Sequence, residues 1–166
     1  MKSLGRRAAA MALLLLASLL ISHDALSAPS PGGPQLPTGV LPARMPVVPQ
    51  PIVVLALVRN TLLAVDHANK TGNYTVLRDL SGPDFHDAND AARLSQIFAS
   101  LRAQNIDLLP VTVVEPQYKE PARLTAKRML YIAGRFQLSP RPVSFELLFE
   151  VVRGQWRIYG ISIVPA

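Results

Sequence analysis

Cysteine is absent from the 166 residues. This excludes disulfide staples, thiolate metal sites, a thiol nucleophile and lipid attachment at a cysteine. Aromatics are scarce too, with one tryptophan, four tyrosines and five phenylalanines, so each large ring that can anchor a core is identifiable by name. Acids are outnumbered, 11 against 17 lysines and arginines. No glycine-rich phosphate loop, nucleophile elbow or zinc-binding helix appears. A folded domain without covalent staples has to be held by its hydrophobic core, and 166 residues leave room for one of ordinary size.

The first residues follow the order of a secretory signal. Lys2, Arg6 and Arg7 form a positive start, Ala8 to Ile21 an apolar run, and Ser22 to Ala28 a small or polar end. The run is shorter than the roughly 20 residues that span a bilayer, and His23 and Asp24 close it. The expectation is a cleaved leader over 1–28, cut within Ala25 to Ala28, with no transmembrane segment left afterwards. The Arg6-Arg7 pair alone, followed by three alanines, is a poor match to a twin-arginine signal. Loss of the leader removes three cations and one acid, Asp24, and lowers the net charge from +6 to +4. Outside the cytoplasm, such a mild positive charge suits an anionic envelope surface rather than nucleic acid.

Residues 29–51 hold eight prolines, from Pro29 to Pro51, with Gly32, Gly33 and Gly39 between them. Proline fixes φ and removes an amide donor, so this segment reads as a semi-extended linker. The folded domain is expected over 52–166. Ile52 to Lys70 lacks Gly and Pro and places Val54, Leu57, Val58, Leu62, Val65 and Ala68 at helical spacing, with Thr71-Gly72-Asn73 as the stop. Tyr74 to Leu80 reads as a short helix ended by Ser81-Gly82-Pro83. Asp90 to Ala103 reads as a third, entered through Asp87, Asn89 and Asp90. Strands are expected at Val111–Glu115, Arg128–Phe136, Val143–Val152 and Trp156–Val164. With Arg153-Gly154 as a tight turn, Val151 faces Trp156, Phe149 faces Ile158, Leu147 faces Gly160, and Glu150 meets Arg157 as a cross-strand charge pair. Helices followed by a meander of about four antiparallel strands make an α+β fold, with the sheet curling around the first helix.

The long opening helix, the run Leu80-Ser81-Gly82-Pro83-Asp84-Phe85 and the closing hairpin around Gly154-Gln155-Trp156 together resemble the nuclear transport factor two-like superfamily, over roughly 52–164. The resemblance implies a cone-shaped, cystatin-like α+β domain with a pocket. It implies no single activity, because that fold carries enzymes, transport adaptors and non-catalytic exported domains. The catalytic groups of its enzymes do not map residue by residue onto this chain.

Candidate chemistry is therefore read from the residues. Asp66 and His67, late in the first helix, and Tyr131 and Tyr159, on strands, are candidates for acid–base work of a lyase or isomerase kind. Tyr74, Tyr131 and Tyr159 are candidates for a pocket lining, Tyr118 being the fourth tyrosine. Asp84, His86 and Asp87, with Asp90 close by, are the densest set of cation ligands, though the same acids suit the entrance of a helix. Lys119, Arg123, Lys127, Arg128 and Arg135, followed by Arg141, give the sheet half a basic surface, which also guards a strand edge from aggregation. Asn69-Lys70-Thr71 and Asn73-Tyr74-Thr75 fit a glycosylation pattern but read as helix-end residues. No cofactor is implied. The expected function is that of a non-catalytic exported binding module, taking a small apolar ligand or an envelope protein partner, with homodimerisation through the sheet as a further option.

Overall fold

The computed structural model describes residues 45–166. The leader and residues 29–44 of the proline-rich segment lie outside the described residues. Residues 45–50 carry no regular structure, and α1 then runs over Pro51–Thr71. Pro51 stands at its first position, where a missing N–H costs nothing. The Gln50 carbonyl accepts from the Val53 and Val54 amides. The helix ends at Gly72, whose φ of 73° only glycine adopts freely, and the Gly72 N–H donates to the Ala68 carbonyl. The expected stripe is the buried one: Val54, Val58, Leu62, Val65 and Ala68 are inside, with Leu57 packed at the margin. By length and composition α1 could also cross a membrane, but this buried stripe is that of a core helix.

The remaining helices are shorter and more numerous than expected: α2 Thr75–Asp79, α3 Pro83–Ala88, α4 Ala91–Ile97 and α5 Ala99–Ala103. The α3 turn was not anticipated, because Gly82-Pro83 reads as a breaker of the preceding helix. The same pair starts the next one, with Gly82 extended at the cap and Pro83 at the first position. Asp90 caps α4, its carboxylate accepting from the Arg93 amide at 2.7 Å. The single helix expected over Asp90–Ala103 is divided at Phe98, whose backbone leaves helical geometry (φ −95°, ψ 13°) as its ring stacks on Tyr74 at 6.4 Å.

The strand expected at Val111–Glu115 does not form. Pro110 starts a 3-10 turn over Leu109–Thr112, and the Arg59 side chain takes the Val111 and Val114 carbonyls. The sheet has five antiparallel strands rather than four: β1 Gln117–Tyr118, β2 Arg123–Leu124, β3 Leu130–Phe136, β4 Val143–Val152 and β5 Gln155–Pro165. β1 and β2 both pair with β3, followed by β4 and β5. At the β5 edge, Leu80–Gly82 adds a parallel bridge: the Gly82 N–H donates to the Ile158 carbonyl at 2.7 Å and the Ile158 N–H to the Leu80 carbonyl at 3.3 Å.

The closing hairpin turns at Arg153 and Gly154, both at positive φ. Val151 faces Trp156, Phe149 faces Ile158 and Glu150 faces Arg157, as the alternation requires. Beyond that point a bulge at Tyr159 shifts the ladder, so Leu147 pairs with Ile161, and Gly160 lies opposite Leu148 instead. One extra residue on β5 is the whole cause. Leu130, Ile132, Phe136, Phe145, Leu147, Phe149, Ile158 and Ile163 form one core cluster with the α1 stripe, Leu94, Phe98 and Leu101. The molecule is thus α+β, with helices and an open antiparallel sheet sharing a single core.

Candidate functional site

The tyrosines separate by environment. Tyr74 is fully buried; its hydroxyl donates to Asn69 Oδ1 at 2.7 Å and accepts from Arg102 Nη1 at 2.6 Å. It joins α1 to α5 inside the core. Asn69 is held in that network, and Asn73 accepts from the Thr75 amide at the start of α2. Both asparagines therefore serve helix ends.

Asp66 is 2% exposed. Its two oxygens take the Leu108 amide at 3.1 Å and the Lys70 ammonium at 2.8 Å, and Lys70 also reaches Asp107 at 2.7 Å. These two carboxylates hold the Lys70 ammonium above its ordinary range, hydrogen bonding to Asp107 acting most strongly, then that to Asp66. Lys70 in return draws Asp107 below its usual range, helped by the Leu109 amide. His67, next to Asp66, is exposed. Asp66 thus ties the end of α1 to the chain at Leu108.

Tyr131 lies on the sheet face opposite the core, half-buried, with the Arg123 guanidinium 4.7 Å from its ring centre. Burial raises its phenol, as does the charge of Glu146, while Arg123 opposes them. Tyr159 is the bulged residue of β5, also half-buried. A cavity of about 220 Å3 does lie beneath the hairpin, lined by Leu57, Thr61, Leu80, Phe149, Trp156 and Ile158 among others. Neither Asp66, His67, Tyr131 nor Tyr159 lines it. The Thr61 hydroxyl in its wall is engaged with the Leu57 carbonyl.

Asp84, His86 and Asp87 share the short α3, where His86 Nδ1 approaches Asp87 Oδ1 at 3.2 Å. Among the described residues no three acids or histidines converge as a metal-binding set. His86 and Asp87 instead line an open cleft of about 640 Å3 with Arg78, Arg153 and Arg157. Glu150, facing Arg157 across the hairpin, was expected to pair with it. The Arg157 guanidinium turns instead to the Asp79 carbonyl at 3.1 Å and to Gln155 Oε1 at 2.9 Å. Glu150 Oε1 is buried with no hydrogen-bond partner among the described residues, against Gly82, where a Cβ would come within 1.8 Å of it. Burial first, then the Asp84 charge, raises the Glu150 carboxyl above the usual range. Its strand position gave no sign of this, because the shielding segment at Gly82 is 68 residues away in sequence.

The basic residues gather on the β1–β2–β3 side. Arg123 is paired with Glu120 at 3.0 Å, Arg135 donates to Gln117 Oε1 at 2.9 Å, and Arg128 reaches the Met45 sulfur from a turn at φ 60°. Lys119 and Lys127 are exposed, without an ion pair among the described residues.

Two concavities on this side border Tyr118. One is an apolar groove of about 380 Å3 between the segment entering α1 and the β1–β2 loop, lined by Val48, Pro49, Pro51, Val54, Pro121 and Ala122 together with Tyr118. The tyrosine supplies the one polar side chain of that lining. The other is a polar cleft of about 400 Å3, lined by Tyr118, Lys119, Gly134, Arg135, Ser144 and Glu146 among others. Tyr118 sits edge-on to Phe145 at 6.5 Å, and burial raises its phenol, with Glu115 adding to the rise and Arg59 opposing it. Gly134 makes the arrangement possible: a Cβ there would fall 2.6 Å from the Gln117 carbonyl, so only glycine lets β1 lie so close. A glycine inside strand β3 was the available signal for this site. No family model, curated protein or solved structure matches the chain.

Proposed function

We propose that residues 45–166 are a non-catalytic binding module of an exported protein, and that the module holds a small, largely apolar molecule in the groove beside Tyr118. The observation that carries this reading is the groove itself. Its volume of about 380 Å3 falls within the roughly 300–1,000 Å3 usual for ligand pockets, and its lining of aliphatic and proline side chains with one phenol matches their usual chemistry. Exposed Met45, Val47 and Ile52 on the same segment extend the apolar surface beyond the groove, as a surface that receives an apolar guest requires.

The proposal extends to place and kinship. The charge, apolar run and small residues of 1–28 support export, and the absence of cysteine suits a bacterial envelope protein that relies on its core. The opening helix, the Leu80–Phe85 run and the closing hairpin support membership of the nuclear transport factor two-like superfamily. The scattered placement of Asp66, His67, Tyr131 and Tyr159 favours binding over acid–base catalysis by that set.

Native mass spectrometry of the purified chain, followed by organic extraction, tests the binding reading. An apolar mass that is retained natively and released on denaturation is expected. No retained mass, together with no thermal shift across a panel of apolar molecules, would overturn it. N-terminal sequencing of the protein from the envelope fraction tests export, with a start at residues 26–29 expected.

A further inference from the structure

Residues 45–53 lead into the domain as an almost wholly apolar segment, in which Gln50 is the one polar side chain. Five of its side chains, Met45, Val47, Val48, Ile52 and Val53, stand exposed. We infer that this segment, with Lys127 and Arg128 beside it, docks the module on the surface of an anionic lipid bilayer. The inference goes beyond the groove reading and does not depend on the groove holding a guest.

Two contacts fix where the segment runs. The Met45 sulfur meets the Arg128 side chain, and Val48 and Pro49 share the groove wall with Pro121 and Ala122. Residues 45–49 therefore lie along 121–128 in the opposite direction, and their side chains border the turn that carries Lys127 and Arg128. Both cations are exposed and have no ion pair among the described residues. The chain around them brings little to neutralise them, since no Asp or Glu occurs over 45–65 or 121–145. Glu115 and Glu120, just before the second stretch, are paired with Arg59 and Arg123. Glu146, just after it, lies opposite Ala133, five residues along the chain from Arg128.

Contiguous exposed apolar surface marks a contact site, and cations set against it select a partner that is greasy within and anionic at its face. A bilayer with acidic headgroups has both layers. The apolar side chains enter the acyl boundary while the ammonium and guanidinium meet the headgroup phosphates. Pro46, Pro49 and Pro51 suit that boundary, because a residue without an N–H has one fewer backbone group to lose its hydration there. The Val53 and Val54 amides are already satisfied by the Gln50 carbonyl. Docking would also set the groove, which adjoins this segment, beside a store of apolar guests.

Flotation of the protein, purified from the envelope fraction, with vesicles of phosphatidylcholine alone or mixed with phosphatidylglycerol provides the test. Each cation near an anionic surface contributes about fivefold in partitioning, so the pair should give about 25-fold tighter binding to the mixed vesicles, weakened by salt. Lys127→Gln should lower that binding about fivefold. Val47→Asp, at a position 73% exposed where folding is not at stake, should lower it about tenfold or more, with circular dichroism confirming the fold. Binding to neither vesicle, equal binding to both, or binding that either variant leaves intact overturns the inference. Retention on dextran sulfate without vesicle binding assigns the cations to a polysaccharide and also overturns it. Val47 does not line the groove, so the apolar mass retained by Val47→Asp in native mass spectrometry reads the groove separately from the docking.

Discussion

Replacing Glu150 by glutamine should make the protein more stable at neutral pH. In an ordinary hairpin the reverse holds, because a glutamate opposite an arginine gains from the pair. Here Arg157 is turned to the Asp79 carbonyl and Gln155, and the Glu150 carboxylate lies partly shielded against Gly82 with one oxygen unpartnered among the described residues. An unsatisfied buried polar group costs about 1–3 kcal/mol. Glu150 is only half-buried, so solvent screening reduces the expected gain from removing its charge to about 0.5–1 kcal/mol. The pH dependence fixes the sign. Because the folded state raises this carboxyl above its ordinary 4.5, the folded protein binds the proton more tightly than the unfolded chain. Its contribution is therefore fully favourable below pH 4.5 and is lost as pH rises through the folded value. Urea unfolding of both proteins at pH 4 and pH 7 is the assay, with the midpoint shift read at constant m. Glu150→Gln should unfold at higher urea at pH 7 and show little advantage at pH 4. A variant that is less stable at pH 7, or a difference independent of pH, would show that Glu150 is paired in solution and that the reasoning is wrong.

Asp66→Ala should destabilise by about 2–3 kcal/mol, since it strands the buried Leu108 amide as well as releasing Lys70. Asp66→Asn keeps an acceptor for Leu108 and should cost about 1 kcal/mol or less, as Lys70 is half-exposed; equal losses in urea unfolding would refute the capping role. Gly134→Ala should detach β1, because its Cβ meets backbone at Gln117, seen as faster amide exchange at Lys119, whose N–H donates to the Ala133 carbonyl. Unchanged exchange there would contradict it. Phe149→Ala should cost about 3–5 kcal/mol as a fully buried core ring, and a loss below 1 kcal/mol would mean the hairpin does not close the core.

The elements legible in the sequence were those governed by local periodicity. α1 and its stop at Gly72 follow from spacing and a left-handed glycine, and β4 and the first four pairs of the hairpin follow from alternation and the Arg153-Gly154 turn. What local pattern does not encode was missed. The stretch Val111–Glu115 has strand-forming residues, but its backbone is taken by the distant Arg59, and tertiary contact overrides propensity. The bulge at Tyr159 depends on how β5 fits its neighbours, and a single extra residue changes every pair beyond it. The site was the least legible part. Tyr118 ends a strand of only two residues, and the groove wall comes from Val48 and Pro49, residues that read as plain linker. Acid, histidine and tyrosine candidates drew attention by chemistry, yet Asp66 and Tyr74 are satisfied inside structural networks. Glu150 appeared paired until the Gly82 segment was placed against it.

The central claim is that the groove beside Tyr118, and not the cavity beneath the hairpin, receives the ligand. Methyl-resolved NMR during a decanoate titration tests it most directly. Saturable shifts should concentrate on Val48, Val54 and Ala122, with the Tyr118 ring protons moving in step. Shifts concentrated on Leu57, Leu80 and Ile158, or none at any residue, would contradict the account.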